Sequence, residues 1–142
     1  MVREANAGDT STLALMLKKM SVEMMPEYAT DNDGMYWATV MEWLEEPNTY
    51  VFVDNVLRGF FVVIDDSEDI FPDYHRYVIS KVYIEPQYRK TKLYSRFFNF
   101  VYEEFTDGDV IGVTEIGSDH IPVLEKRHER IANVYRMTRK ET

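Results

Sequence analysis

Val-Tyr-Ile-Glu-Pro-Gln-Tyr-Arg-Lys-Thr-Lys-Leu-Tyr-Ser-Arg-Phe-Phe, residues 82–98, changes its physical character twice. It begins inside a run of strand formers, Tyr77 to Ile84, and Pro86, which cannot donate to a sheet ladder, stops that run. From Lys92 to Phe105 apolar residues recur in two adjacent stripes, Leu93, Phe97, Val101 and Phe105 beside Tyr94, Phe98 and Tyr102, which is the rhythm of a helix. A helix apolar over so wide an arc is buried on much of its surface, as when it packs across a sheet. A strand that turns directly into a helix leaves unpaired backbone N–H groups at the helix start, with the positive end of the macrodipole behind them. Arg89, Lys90 and Lys92 stand at that turn, and residues 76–96 hold six basic side chains against Glu85 alone. One reading is a solvated helix edge; the sharper one is a site for a phosphate-bearing ligand.

Upstream, Val2 to Glu4 predicts a short strand. Asp9 and Thr10 offer N-cap oxygens to a helix whose apolar face is Leu13, Met16, Leu17, Met20 and Met24, methionines that serve as core filler rather than as a ligand box. After a polar break at Pro26 to Asp33, Tyr36, Trp37, Val40, Met41 and Leu44 share a face of a second helix that ends before Pro47. Tyr50 to Val53 and Val56 to Ile64 read as strands joined by a tight Asp54-Asn55 turn. Asp65 to Asp73 reads as an acidic loop. Downstream, Asp107-Gly108 turns the chain into a strand at Val110 to Thr114. A short helix capped by Ser118 or Asp119 runs to Arg127, and Ile131 to Met137 is a final strand. No repeat, low-complexity tract or linker divides residues 1–142, which are expected to form one domain.

The 142 residues include no cysteine, 45% apolar and 14% aromatic residues, and a net charge of −9. Disulfides and thiolate zinc sites are excluded, a full core is affordable in side-chain volume, and the cytoplasm is the default location. No run approaches a membrane span, and the acidic balance opposes duplex nucleic acid as a partner. The charge is uneven. Residues 1–75 carry four basic against fifteen acidic side chains, whereas the remainder carries twelve against ten. His120 and His128, without acidic or cysteine ligands at regular spacing, give no metal site. Dinucleotide, P-loop, zincin and nucleophile-elbow motifs are absent.

The segment 82–98 resembles the central segment of the GNAT acyltransferase superfamily, in which a strand ends in an apolar-aromatic-apolar-x-Pro-x-Tyr/His-Arg sequence before a phosphate-binding turn and a long helix. The element order β-α-α-β-β-β-α-β-α-β matches that family over essentially the whole chain. The resemblance implies an α/β (α+β) three-layer fold with a central mixed sheet, and acetyl-CoA as acyl donor without a metal. Val82 and Ile84 would pair with the pantetheine arm, and Arg89, Lys90, Thr91, Lys92, Leu93 and Tyr94 would form the pyrophosphate turn. The family's turn carries small residues where Lys92 and Tyr94 stand, because the backbone there must approach phosphate without a Cβ in the way. The three cations of the turn could replace part of that backbone donation.

For catalysis, the family often uses a tyrosine in the penultimate helix to protonate the departing thiolate. Leu124 occupies that position, which leaves Tyr135 as the candidate acid. Glu115 and Glu85 are the candidate general bases. The backbone amide near Val82 would stabilise the tetrahedral oxyanion. In the family the acceptor lies against the first two helices and their connection, where Glu23, Glu27, Asp31 and Asp33 call for a cationic amine, either a small molecule or a lysine side chain. The expected activity is direct acyl transfer to an amine. The alternative is a non-catalytic protein of this fold that binds a protein or CoA, since loss of the turn glycines and of the helix tyrosine resembles phage-encoded members. The acceptor, acyl group and assembly stay open, a homodimer among them.

Overall fold

A computed structural model describes residues 1–67, 70 and 72–112. The chain separates into two compact units, Met1–Gly112 and Val113–Thr142, and all described residues lie in the first. Strand β1 (Val2–Glu4) is followed by a 3-10 turn (Ala7–Asp9) and helices α1 (Thr10–Met24) and α2 (Asp33–Glu45). Strands β2 (Thr49–Asp54), β3 (Gly59–Asp65) and β4 (Arg76–Ile84) come next, then a second 3-10 turn (Pro86–Tyr88), α3 (Leu93–Glu104) and β5 (Asp109–Gly112). The sheet runs β1-β2-β3-β4-β5, antiparallel except for the parallel pair β4 and β5. The expected helix and strand after residue 113 fall outside the described residues.

Two-residue alternation sorts the strands' side chains onto two faces. Val51, Val53, Phe60, Val62 and Tyr83 join Leu13, Met16, Leu17 and Met20 of α1 and Tyr36 and Val40 of α2 in one buried cluster. The other face meets α3. Phe61 stacks on Phe97 at 4.7 Å and meets Phe98 edge-on, while Phe52 and Tyr77 pack on Phe105. A mixed sheet between two helical layers results. Full burial of each such side chain contributes about 1.5–3 kcal/mol.

Tyr77 and Tyr83 are six residues apart, so unbroken alternation would put them on one face; yet Tyr77 faces α3 and Tyr83 faces α1 and α2. A β-bulge accounts for this. Val63 pairs with Ile79 but Val62 with Lys81, which leaves Ser80 as the extra residue. Its hydroxyl reaches the Val62 carbonyl at 3.3 Å.

Several local expectations are corrected. Asp9 does not cap α1 with its side chain. The start is fixed one turn earlier, where Asn6 Oδ1 accepts from Gly8 N–H and Asp9 Oδ2 accepts from Asn6 N–H at 2.9 Å, a reciprocal capping box. The Thr10 hydroxyl instead donates to the Ala7 carbonyl. Met24 and Trp37, expected on apolar faces, are exposed, outside the buried cluster that α1 and α2 form with the sheet. The β2–β3 turn is longer than Asp54-Asn55. Buried Asp54 accepts from Arg58 N–H at 2.6 Å and from Arg58 Nε at 2.7 Å, Leu57 takes a positive φ of 54°, and β3 begins only at Gly59. A Cβ at Gly59 would sit 2.6 Å from the Tyr83 carbonyl, so this close strand approach requires glycine.

Candidate functional site

The site lies where β4 ends and α3 begins. Glu85 N–H donates to the Arg58 carbonyl at 2.8 Å. In an antiparallel ladder the hydrogen-bonding direction alternates residue by residue. Glu85, Tyr83 and Lys81 therefore pair toward β3, and the backbone groups of Val82 and Ile84 point away from it. Pairing of β4 with β5 covers Arg76 to Ile79. Beyond the Ser80 bulge, among the described residues, no strand lies beside β4 on that side. Among the described residues, the N–H and C=O groups of Val82 and the Ile84 N–H thus face no neighbouring strand, while the Ile84 C=O accepts from Arg89 Nε; such an edge is the arrangement that accepts an added extended chain.

The turn itself is braced. Arg58, fixed by Asp54, places its guanidinium over the Tyr88 ring at 5.3 Å, and Thr91 Oγ1 donates to the Tyr88 carbonyl at 2.6 Å. Leu93 N–H in turn donates to Thr91 Oγ1 at 3.3 Å, so one of the helix-start amides already has an acceptor. Leu93 and Tyr94 turn their side chains into the core, Tyr94 against Phe61 and Phe98. Their bulk is thereby removed from the outer face of the turn, where Lys90, Thr91 and Lys92 are exposed. Of the two large residues at the positions of the family's small ones, Tyr94 is accommodated inward, whereas Lys92 stays exposed on the outer face. Burial pushes the Tyr94 hydroxyl up to about 12, so it stays protonated.

Arg89 is already engaged. Its Nε donates to the Ile84 carbonyl at 2.9 Å, and its two terminal nitrogens form a fork on both carboxylate oxygens of Glu23, NH2 to Oε2 at 2.6 Å. The Glu23 hydrogen bond, above all, raises the Arg89 pKa from its ordinary value. A second pair lies one helical turn back on α1, with Lys19 Nζ 3.0 Å from Glu85 Oε1. The Glu85 Oε2 accepts from the Tyr83 hydroxyl at 3.3 Å. Burial first, and then the Glu85 charge, push Tyr83 up to about 12. Glu85 is thus a partly buried carboxylate held between a cation and a phenol at the end of β4.

Of the carboxylates expected from the sequence to face an acceptor, Glu23 is bound to Arg89 and Asp33 to Lys18 at 2.8 Å, whereas Glu27 and Asp31 are exposed on the α1–α2 connection. Exposed Met24, Met25, Tyr28, Met35 and Trp37 share that region. Glu115, Tyr135, Leu124, His120 and His128 lie outside the described residues. Sequence reasoning missed Lys19, Tyr83 and the Ser80 bulge. Opposite charges at Lys19 and Glu23 were visible as an i, i+4 pair on one helix face, and consecutive polar Ser80-Lys81 interrupted a strand pattern. Among the described residues no cluster of three or more His, Asp or Glu could hold a metal, and no helix is long and apolar enough to cross a membrane.

No family model matches the sequence, and no curated protein sequence matches it. Solved structures do match. A possible acetyltransferase from Clostridium difficile 630 superposes with a TM-score of 0.77 at 16% identity, covering 99% of this chain and 98% of the other. The ribosomal-protein-alanine N-acetyltransferase of Brucella melitensis biovar Abortus 2308 gives 0.73 at 13% identity over 99% of both chains. The chain has the GNAT fold. AAC(6')-Iy, solved with the bisubstrate analog CoA-S-monomethyl-acetylneamine, gives 0.73 at 14% identity over 100% of this chain and 98% of that one. Within the GNAT fold the β4 edge and the β4–α3 turn are the elements for which the sequence resemblance implied donor binding.

Proposed function

We propose that this protein is an acyl-CoA-dependent N-acyltransferase that uses acetyl-CoA as donor and acts on a cationic amine. The observation that carries this reading is the β4 edge at Val82 and Ile84, beside which no strand lies among the described residues, leading into a turn with exposed Lys90 and Lys92. The edge suits an extended amide-bearing arm, and the turn suits its phosphates. Acetyl-CoA would supply the activated acyl group. Val82 and Ile84 would align it by backbone pairing, and the Val82 amide would face the oxygen on which negative charge develops. Glu85, at the end of the same strand, and Glu115 are the candidate acceptors of the amine proton, and Tyr135 the candidate donor to the departing thiolate.

The acceptor reading rests on charge. Glu27 and Asp31 are exposed beside apolar Tyr28 and Met35, a surface suited to an amine that also carries apolar groups. Acetyl transfer to a panel of cationic, neutral and anionic amines, followed by thiol release, tests the proposal. The protein has no cysteine, so the released CoA is the only thiol in the assay. Saturable release with cationic amines is expected. Preference for neutral or anionic amines would overturn the acceptor reading, and donor binding with no transfer to any amine would favour the non-catalytic CoA-binding alternative.

A further inference from the structure

Two ion pairs tie α1 to the connection between β4 and α3, and their arrangement is reciprocal. Lys19 and Glu23 stand four residues apart on α1, hence on one face, and they meet Glu85 and Arg89, also four residues apart, with each cation opposite a carboxylate. The Arg89 guanidinium is the one cation of the turn that is both anchored, through Nε on the Ile84 carbonyl, and forked on a carboxylate. A guanidinium fork binds carboxylate and phosphate with the same geometry. Glu23 and the Arg89 side chain are each partly exposed, at 42% and 32%, so an anion arriving at the turn can reach them.

We propose that Glu23 is an internal competitor for the phosphate site. In the unliganded protein its carboxylate holds the Arg89 fork in the place of a phosphate, and donor binding transfers the fork to the phosphate. The inference rests on the donor reading above and adds to it the regulation of that site. Lys19 and Glu85 keep α1 attached while the fork changes partner.

Calorimetric titration with CoA of the wild type, Glu23→Gln, Arg89→Gln and the double variant tests this. Glu23→Gln is expected to tighten CoA binding about three- to fivefold, the scale of a partly exposed bidentate pair. Arg89→Gln is expected to weaken it, and the double variant to match Arg89→Gln. The gain from Glu23→Gln must vanish without Arg89, because a mere reduction of negative field would persist. Should Arg89→Gln fail to fold, Arg89→Lys, which keeps the charge and loses the fork, takes its place in the cycle. CoA binding that Glu23→Gln leaves unchanged, or tightens equally in both backgrounds, overturns the exchange while leaving the donor reading intact. Absence of CoA binding in both the wild type and Glu23→Gln overturns the donor reading and the exchange with it.

Discussion

Replacing Asp54 by alanine strikes at a turn that supports both the sheet and the candidate donor site. The Asp54 carboxylate is fully buried and accepts from Arg58 N–H at 2.6 Å and from Arg58 Nε at 2.7 Å. Removing one partner of a fully buried ion pair costs about 3–5 kcal/mol, chiefly because the other charge is left unpaired. The Arg58 side chain is 26% exposed and can recover some hydration, which lowers the expected loss to about 2–4 kcal/mol. The orphaned Arg58 N–H and the left-handed Leu57 then remain without the carboxylate that held the turn. In a domain of this size about 3 kcal/mol corresponds to a fall in Tm of roughly 10 °C. Chemical denaturation followed by circular dichroism measures it. The damage extends to the site, because the Arg58 carbonyl receives Glu85 N–H and the guanidinium covers Tyr88. CoA affinity should fall as well. A loss of less than about 1 kcal/mol with unchanged CoA binding would refute the argument that this buried carboxylate braces the β4–α3 connection.

Deletion of Ser80 removes the extra residue of the bulge and leaves Ile79 and Lys81 opposite Val63 and Val62, their present partners. Stability should change by less than about 1 kcal/mol, since only one weak hydrogen bond is lost, while CoA affinity falls at least about tenfold as the strand edge straightens; equal affinity would detach the bulge from ligand binding. Phe61→Ala, at a fully buried residue stacked on Phe97, should cost about 3–5 kcal/mol by urea denaturation. Asp9 carries a pKa lowered mainly by its hydrogen bond to Arg3, so its contribution is complete above the unfolded value near 4 and is lost as pH falls through the lower folded value. Asp9→Asn should therefore cost about 1 kcal/mol at pH 7, allowing for the one-third exposure of Arg3, and progressively less below pH 4. A cost that does not change with pH would assign the effect to packing.

The fold was legible because its signals are local and repeated. The two stripes from Leu93 to Phe105, the stop at Pro86 and the alternation through Phe60 and Phe61 each follow from periodicity, and together they order the elements through β5. What stayed hidden depends on which of several competing partners a polar side chain takes and on contacts distant in sequence. Nothing near Asp54 announces that its carboxylate will capture Arg58 and lengthen the turn, and the capping box at Asn6 competes with equally plausible oxygens at Asp9 and Thr10. The site was legible at the level of charge, as the cationic turn after β4. That Arg89 spends its fork on Glu23 was not, because the two are joined only when α1 packs against the end of β4. Lys92 and Tyr94 looked obstructive in sequence; the direction of the Tyr94 side chain into the core makes its size a matter of packing, while Lys92 stays exposed on the turn.

The claim at the centre of this account is that the β4 edge and the turn after it receive the acyl donor. Titrating the isotopically labelled protein with CoA and following backbone amide resonances reads it residue by residue. The account predicts saturable shifts concentrated at Val82, Ile84 and the amides from Lys90 to Tyr94. Shifts centred elsewhere, or none at millimolar CoA, would contradict it.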